Sequence, residues 1–166
     1  MQKVANYPGV TVSLQTGSFR EHTIIDFPGI YSLHSISEDE RVAVSKLLEA
    51  IETNELNKVV IILDGTRLEQ SLLLGLQIQQ KLRGRKIPLL FAINMLDILE
   101  ANQLSIKTEA LSKELGVEII SFSAKTKKNL SQIKDWLEKS DHIFSDIPER
   151  SNAAIQVLNA ALARKY

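Results

Sequence analysis

No cysteine occurs anywhere in the 166 residues. That excludes disulfides, thiolate metal sites and a thiol nucleophile, and it fits a reducing compartment. There is no excess of charge of either sign. Twenty Lys and Arg balance twenty Asp and Glu, so formal net charge is zero. Nothing in that balance points to a nucleic-acid partner or an anionic membrane surface. No apolar run approaches the length of a membrane span, and no signal-peptide pattern opens the sequence. Internal repeats and low-complexity tracts are missing as well. The three histidines, His22, His34 and His142, show no metal-ligand spacing. What is present is ordinary: 44% hydrophobic and 24% charged residues, as in a soluble globular chain long enough for one domain with a real core.

The chain alternates strand-like and helix-like stretches. Tyr7-Pro8-Gly9 is a turn signal, and residues 10–19 alternate loosely, as a half-buried or edge strand does. Residues 23–26 form a short strand ending on Asp26, broken by Phe27-Pro28-Gly29. Ser37 and Glu40 make a capping box before a helix with Val44, Leu47, Leu48 and Ile51 on its apolar face. The acids Glu38, Asp39 and Glu40 suit a helix N-terminus rather than a metal site. Residues 58–64 (KVVIILD) are the clearest buried strand. Thr66 and Glu69 make a second capping box, before a helix carrying Leu74, Ile78 and Leu82 and ending near Gly84. A strand over 87–93, a helix over 108–115 stopped by Gly116, a strand over 117–121 and a helix with Leu130, Ile133 and Leu137 follow. Trp136 is expected to be partly buried between those last core positions. Residues 143–148 read as a connector, and a last helix carries Ile155, Leu158 and Leu162. The alternation predicts an α/β fold, a mostly parallel sheet with helices on both faces.

Three polar signals follow strand-length apolar runs. They are Asp26-Phe27-Pro28-Gly29, Asn94-Met95-Leu96-Asp97 and Ser123-Ala124-Lys125. Binding residues of open α/β sheets sit past the carboxyl ends of strands, so all three are expected on one rim. An Asp at position 97 can accept two parallel hydrogen bonds from the guanine edge that presents N1–H and N2–H. Adenine has no such pair, and a desolvated carboxylate left unpaired rejects it. Asn94 would tie neighbouring loops and reach the base from the other side. The Ser-Ala-Lys loop can offer a backbone N–H to the guanine carbonyl, with the Lys125 stem over the base plane. In D-x-x-G, Asp26 can hold a Mg²⁺-bound water, and Gly29 lets a backbone N–H approach a terminal phosphate. Thr11, after Pro8-Gly9, can offer an oxygen to the same metal.

The ordered set resembles that of translation-factor-related GTPases, and its finer detail resembles the N-terminal cytosolic G domain of the ferrous iron transport protein B (FeoB) family. Asn6-Tyr7-Pro8-Gly9-Val10-Thr11-Val12 matches the family's N-x-P-G-V-T-V, and residues 26–33 (DFPGIYSL) match its D-x-P-G-x-Y-S-L. Met95 stands where the family carries Met and most GTPases carry Lys. Asp64-Gly65-Thr66 with Leu68-Glu69 resembles its D-x-T-x-L-E-R-N, although Gln70-Ser71 replace Arg-Asn. The resemblance implies a three-layer, P-loop-GTPase-like fold over 1–146, with 147–166 similar to the start of the family's helical spacer domain. It implies GTP or GDP with Mg²⁺ as ligands. Thr11, Asp26 and Gly29 match the switch residues, with Thr11 and Asp26 toward the metal. Asn94, Met95 and Asp97 match the base readers, and Ser123, Ala124 and Lys125 the supporting loop. In the family the nucleotide state controls a membrane domain that passes Fe²⁺. The implied location is cytoplasmic, at the inner face of the membrane through a parent transporter.

One part of the pattern is missing. The phosphate-binding loop G-x-x-x-x-G-K-[ST] needs Gly-Lys, and none of the seven glycines precedes a lysine. The first β-loop-α unit of the family fold is thus expected to be absent. Such a loop makes about five charge-assisted bonds to phosphate, each worth roughly 1.5–3 kcal/mol. Losing even about 5 kcal/mol moves a micromolar site past millimolar. The resemblance therefore points to a GTPase, but this polypeptide is expected to bind GTP or GDP very weakly, and no catalytic residue is assigned. The alternative is a degenerate G-domain-like interaction module that binds no nucleotide. The missing strand is central in the family's sheet, between the strands ending at Asp26 and Asp64. Its loss would leave two inner edges about 10 Å apart, twice the usual strand spacing. Such edges must close up or be filled, unless the chain is a fragment or starts at the wrong Met.

Overall fold

The computed structural model describes residues 3–5, 14–27, 29–31, 33 and 37–139. The expected connector near 143–148 and the last helix lie outside the described residues. The chain divides into two compact units, Met1–Glu55 and Leu56–Tyr166.

In the first unit, β1 (Lys3–Ala5), β2 (Leu14–Phe19) and β3 (His22–Asp26) make an antiparallel sheet in that order. The β2–β3 ladder runs from Gln15 opposite Asp26 to Phe19 opposite His22. Its turn is only Arg20-Glu21, with Arg20 at φ 53°, the left-handed conformation that two-residue hairpin turns demand. A two-residue turn joins antiparallel neighbours only, so these strands are antiparallel, an exception that an expected mostly parallel arrangement allows. β3 is largely exposed, with Ile24 and Ile25 open to solvent. Helix α1 (Glu38–Glu52) starts where the capping residue predicts: the Ser37 hydroxyl accepts the Glu40 N–H at 3.2 Å. The box is only half made, because the Glu40 carboxylate accepts the Tyr31 N–H at 3.1 Å and so ties the 29–31 segment to the helix. The helix buries Ala43, Val44, Leu47, Ala50 and Ile51.

The second unit is a parallel sheet, β4 (Val59–Asp64), β5 (Leu89–Asn94) and β6 (Glu118–Ser121), in sequence order. β4 and β5 pair from Val59–Leu89 to Asp64–Asn94. A 3₁₀ turn (Gly65–Arg67) leads from β4 into α2 (Leu68–Lys81). The expected Thr66–Glu69 capping box is replaced. Asp64 caps the turn instead, its Oδ1 accepting the Thr66 N–H at 2.8 Å and the Thr66 hydroxyl at 2.7 Å. The buried stripe of α2 is Leu72, Gly75, Leu76 and Gln79 with Ile78, and Leu74 is only half-buried. Gly75 is needed for that packing, because a Cβ there would stand 2.9 Å from Cζ of the fully buried Phe91.

α3 (Leu96–Ala101) and α4 (Thr108–Leu115) connect β5 to β6, and Gly116 at φ 63° ends α4 in a left-handed cap, as its position in the sequence predicts. α5 (Leu130–Glu138) covers the opposite face of the sheet from α2. Leu90, Ala92, Ile120 and Phe122 pack with Ile133 and Trp136, while the intervening Phe91 meets α2. Trp136 is fully rather than partly buried. Its indole N–H donates to Glu118 at 3.0 Å, and Lys58 Nζ stands 5.4 Å over its ring. Helices thus lie on both faces of the parallel sheet, as expected. β3 and β4, the strands ending at Asp26 and Asp64, belong to separate sheets.

Candidate functional site

The carboxyl ends of β5 and β6 are joined by a set of side-chain hydrogen bonds. β5 is buried along Leu89–Ile93, and at Asn94 it reaches the rim. Close approach of β4 there depends on Gly65, where a Cβ would stand 2.6 Å from the Asn94 carbonyl. Met95 then takes a left-handed backbone conformation, φ 69° and ψ 26°. That reversal starts α3 one residue later and puts Asp97 in its first turn. The Phe122 N–H donates to Ile93 (2.8 Å) and the Leu96 N–H to Phe122 (3.1 Å), so the chain past β6 is drawn against the chain past β5.

This brings Ser123-Ala124-Lys125 against Asn94-Met95-Leu96-Asp97. Asn94 Oδ1 accepts the Ala124 N–H at 3.0 Å. The Ser123 hydroxyl, fully buried, donates to Asp97 Oδ1 at 2.7 Å and accepts the Thr126 N–H at 3.1 Å. Asp97 keeps Oδ2 and Asn94 keeps its amide NH₂ without a hydrogen-bond partner among the described residues. Ala124, Lys125 and Met95 are exposed. The rim therefore presents a carboxylate oxygen and an amide donor on two joined loops, with Lys125 exposed on one of them. Of the backbone N–H groups in the Ser-Ala-Lys loop, that of Ser123 donates to the Lys128 carbonyl and that of Ala124 to Asn94.

Sequence reasoning missed the residues that hold this loop shut. Ser123 N–H donates to the Lys128 carbonyl at 3.1 Å, closing a short ring of backbone. Lys128 Nζ meets Glu100 of α3 at 2.6 Å. Asn129, at φ 59°, donates its side-chain amide to the Ser121 carbonyl at 2.9 Å. An Asn just before an apolar helical run was the available signal, since Asn tolerates the left-handed conformation.

The other predicted residues lie in the first unit or outside the described chain. Asp26 ends β3 and is exposed. Gly29 is exposed at φ 72°, with open space where a Cβ would be, so its backbone is free to face a ligand. Tyr31 projects into solvent, 81% exposed, and packs no core. Thr11 lies outside the described residues. No cluster of three or more His, Cys, Asp or Glu that would hold a metal by itself occurs among the described residues.

A parallel sheet faced by helices on both sides, with the Asn94–Asp97 and Ser123–Lys125 loops joined at its carboxyl rim, is the architecture of a GTP-binding G domain. Residues 1–137 match the family of ferrous iron transport protein B. The chain is 34% identical over 145 residues to the Fe²⁺ transporter FeoB of Leptospira biflexa, covering 84% of this chain and 20% of that protein. It is 33% identical over 168 residues to the Salmonella typhimurium FeoB, covering 96% and 20%. Among solved structures, a GDP-bound variant of S. thermophilus NFeoB superposes with a TM-score of 0.74 at 31% identity, covering 95% of this chain and 62% of that one. The cytosolic domain of T. maritima FeoB in its GMPPNP form gives 0.70 at 28%, covering 88% and 57%. The chain belongs to the FeoB family, and it spans about a fifth of the length of these curated relatives. Among the described residues no helix is long and apolar enough to cross a membrane.

Proposed function

We infer that this chain reads the guanine base of GTP or GDP at the β5–β6 rim, weakly, as the regulatory G-domain portion of a ferrous iron transporter. The observation that carries the reading is the joining of the two loops, Asn94 Oδ1 to Ala124 N–H and Asp97 Oδ1 to Ser123 Oγ. Asp97 is held by the Ser123 hydroxyl at Oδ1 and keeps a lone pair on Oδ1 and all of Oδ2 to accept the paired N1–H and N2–H of guanine, one on each oxygen. Adenine offers no such pair, and leaving Oδ2 covered and unpaired costs about 1–3 kcal/mol or more. Asn94 supplies the amide donor on the other side, Met95 sets the turn, and the Lys125 stem covers the base plane.

Affinity is a separate matter. The 166 residues contain no Gly-Lys, so the phosphate cradle that supplies most nucleotide affinity in such sites is not among them. Asp26 and Thr11 are the residues that would hold Mg²⁺. Asp26 is a lone exposed carboxylate, and that fits an ion bound mostly by phosphate and water with one or two protein oxygens. Bound there, Mg²⁺ supplies charge neutralisation of the phosphates. Gly29, with its left-handed backbone and bare Cα, suits the close approach of a phosphate oxygen. The partner of such a domain is the membrane domain of its transporter, and its location is the cytoplasmic side.

The test is a titration of the 166-residue chain with Mg²⁺–GDP, GMP and ADP, read by backbone amide shifts. Guanine nucleotides should move Asn94, Ala124 and Lys125 with dissociation constants near or above ~1 mM, and ADP should not. Micromolar GDP binding overturns the weak-affinity reading. No shift, or equal shifts with ADP, overturns the guanine-reader reading and favours a module that works by protein contact alone.

A further inference from the structure

Net charge is zero over the chain, but the cations are not spread evenly. Between Glu69 and Asp97 there is no acid, and four bases, Lys81, Arg83, Arg85 and Lys86, fall close together. Lys81 stands in the last turn of α2, where a cation suits the helix end. The other three lie beyond the helix, on the turn into β5, where no helix end calls for them. The turn is fixed at both ends. Leu82 is buried, and its N–H donates to the Ile78 carbonyl at 2.9 Å. The Arg85 N–H donates to the Leu82 carbonyl at 2.9 Å, and Gly84 takes φ 77° within that turn. Arg83 and Lys86 are exposed on it, and Arg85 is half-buried. Lys81, Arg83 and Lys86 enter no salt bridge among the described residues.

The neighbours at this end of the sheet do not neutralise the turn. α4 and α5 both end there, since α4 leads into β6 and α5 returns from it. Toward those ends Glu114, Asp135 and Glu138 are matched in number by Lys113, Lys134 and Lys139. Glu118, at the start of β6, takes the Trp136 indole N–H, and Lys58 is drawn to the last carbonyls of α5. The excess of positive charge at this end is therefore that of the turn. The turn also lies opposite the base-reading rim. β5 (Leu89–Asn94) separates the two by about 17 Å of strand.

We propose that this turn docks the chain on an anionic phospholipid surface, its cations toward the headgroups and the base-reading rim toward water. The proposal rests on the reading of the chain as the cytoplasmic portion of a transporter, which puts it beside a leaflet that carries anionic lipid. A lipid surface suits the turn better than a nucleic acid does. No Phe, Tyr or Trp lies on the turn or on α2, so bases find nothing to stack on. Leu82 is buried and Ile87 half-buried, so no apolar side chain is offered for insertion and the contact is superficial and reversed by salt. Each cation at such a surface multiplies attachment about fivefold, and the exposed Lys81, Arg83 and Lys86 alone give about a hundredfold preference over a neutral one. That is weak for a free domain and sufficient for one that its transporter already holds at the membrane.

The experiment is co-sedimentation of the whole 166-residue chain with vesicles of phosphatidylcholine containing about one third phosphatidylglycerol, beside vesicles of phosphatidylcholine alone. Binding to the anionic vesicles is expected at about 50 mM salt, with loss at about 500 mM and none on the neutral vesicles. Arg83→Gln/Lys86→Gln should weaken it about 25-fold. Lys107→Gln/Lys127→Gln removes the same charge from exposed positions at the opposite end of the sheet and should leave binding within about threefold. The unmodified chain gives a readout that needs no variant: spin labels on the lipid headgroups should relax the amides of residues 83–86 more than those of Asn94 and Ala124. The Mg²⁺–GDP shifts of Asn94 and Ala124 should be the same in Arg83→Gln/Lys86→Gln as in the parent, so the two readings fail separately. Absent vesicle binding with those shifts intact removes the docking alone, and vesicle binding without them removes the guanine reader alone. No preference for anionic vesicles, binding that persists at ~500 mM salt, an equal loss in both double variants, stronger relaxation at Asn94 than at residues 83–86, or a short RNA bound more tightly than the vesicles through Arg83 and Lys86 each overturns the proposal.

Discussion

Replacing Ser123 with alanine should unlatch the loop that follows β6 while leaving the sheet intact. The hydroxyl is fully buried and serves two partners, Asp97 Oδ1 at 2.7 Å and the Thr126 N–H at 3.1 Å. A hydrogen bond to a charged group contributes roughly 1.5–3 kcal/mol. Thr126 is exposed, so its N–H turns to water and adds little. Asp97 is half-buried and regains only part of its hydration. Removing one oxygen leaves a space too small for water, so the cavity contribution is minor. The sum is about 2 kcal/mol of loop closure. The amide to watch is Ala124, whose N–H is bonded to Asn94 across the same junction. Its native-state exchange protection should fall about 30-fold, since 1.4 kcal/mol is a factor of ten. Asp97→Asn keeps an acceptor but loses the charge, and should give about half the effect in free energy. Ala124 protection within threefold of the parent in Ser123→Ala would refute the reasoning, because the loop would then be held by its backbone ring and the Lys128–Glu100 pair alone.

Three further outcomes are expected. Gly75→Ala gains about 1 kcal/mol of helix propensity, but its Cβ meets the Phe91 ring at 2.9 Å in a core that cannot yield. The net change should be a destabilisation of about 1–2 kcal/mol in urea melts, relieved in the Gly75→Ala/Phe91→Leu double variant, where the two effects fall short of additivity. Lys58 Nζ donates to the carbonyls of Trp136 (3.2 Å), Leu137 (2.6 Å) and Lys139 at the end of α5, a helix with no basic residue in its own last turn. Lys58→Met should fray that last turn, with faster amide exchange there and a loss of about 1–2 kcal/mol. Asp64 is held below the usual carboxylate range, first by the Thr66 hydroxyl against the opposing effect of burial, then by the Thr66 N–H and the nearby Arg67. A lowered folded-state value means the stabilisation is present above the unfolded carboxylate pKa of about 3.9 and is lost as pH falls below it. Thr66→Val should therefore flatten the acid side of the stability profile below about pH 4 and leave the neutral-to-alkaline side unchanged in slope.

The elements most legible in the sequence are those whose local and tertiary signals agree. Residues 58–64 and 87–93 are largely apolar strings of strand length, and β4 (Val59–Asp64) and β5 (Leu89–Asn94) fall on them within one or two residues. Gly116 ends α4 because only a left-handed cap lets the chain turn back into β6. The rim pairing was legible too, since Asn94, Asp97 and Ser123 sit at ends of strands that must be neighbours in a parallel sheet. What stayed hidden depends on partners remote in sequence. α3 begins at Leu96, inside the polar motif, because Met95 takes φ 69° and its side chain gives no hint of this. The β2–β3 turn uses Arg20-Glu21, which lack the Gly or Asn that advertise such turns. Trp136 is buried completely because Glu118 of β6 and Lys58, just before β4, satisfy its polar edge and face. The Thr66–Glu69 spacing reads as a capping box, but Asp64 competes for Thr66 and wins by offering a charged acceptor two residues away.

The hydrogen bond between Asn94 and Ala124 sets how the proposed base site discriminates. With Ala124 N–H already engaged at 3.0 Å, a guanine carbonyl that takes this donor replaces one neutral acceptor with another, an exchange close to neutral in free energy. That donor therefore cannot be the main source of selectivity. The Asp97 carboxylate is different: with Oδ2 free of a protein partner and a lone pair left on Oδ1, it ends with two charge-assisted bonds or none. Selectivity for guanine over adenine should accordingly survive changes that loosen the loop and disappear with the carboxylate. Ser123→Ala should weaken GDP and GMP alike while preserving their preference over ADP, and Asp97→Ala should abolish the preference. If Ser123→Ala instead erased the preference, the loop backbone rather than the carboxylate would be reading the base.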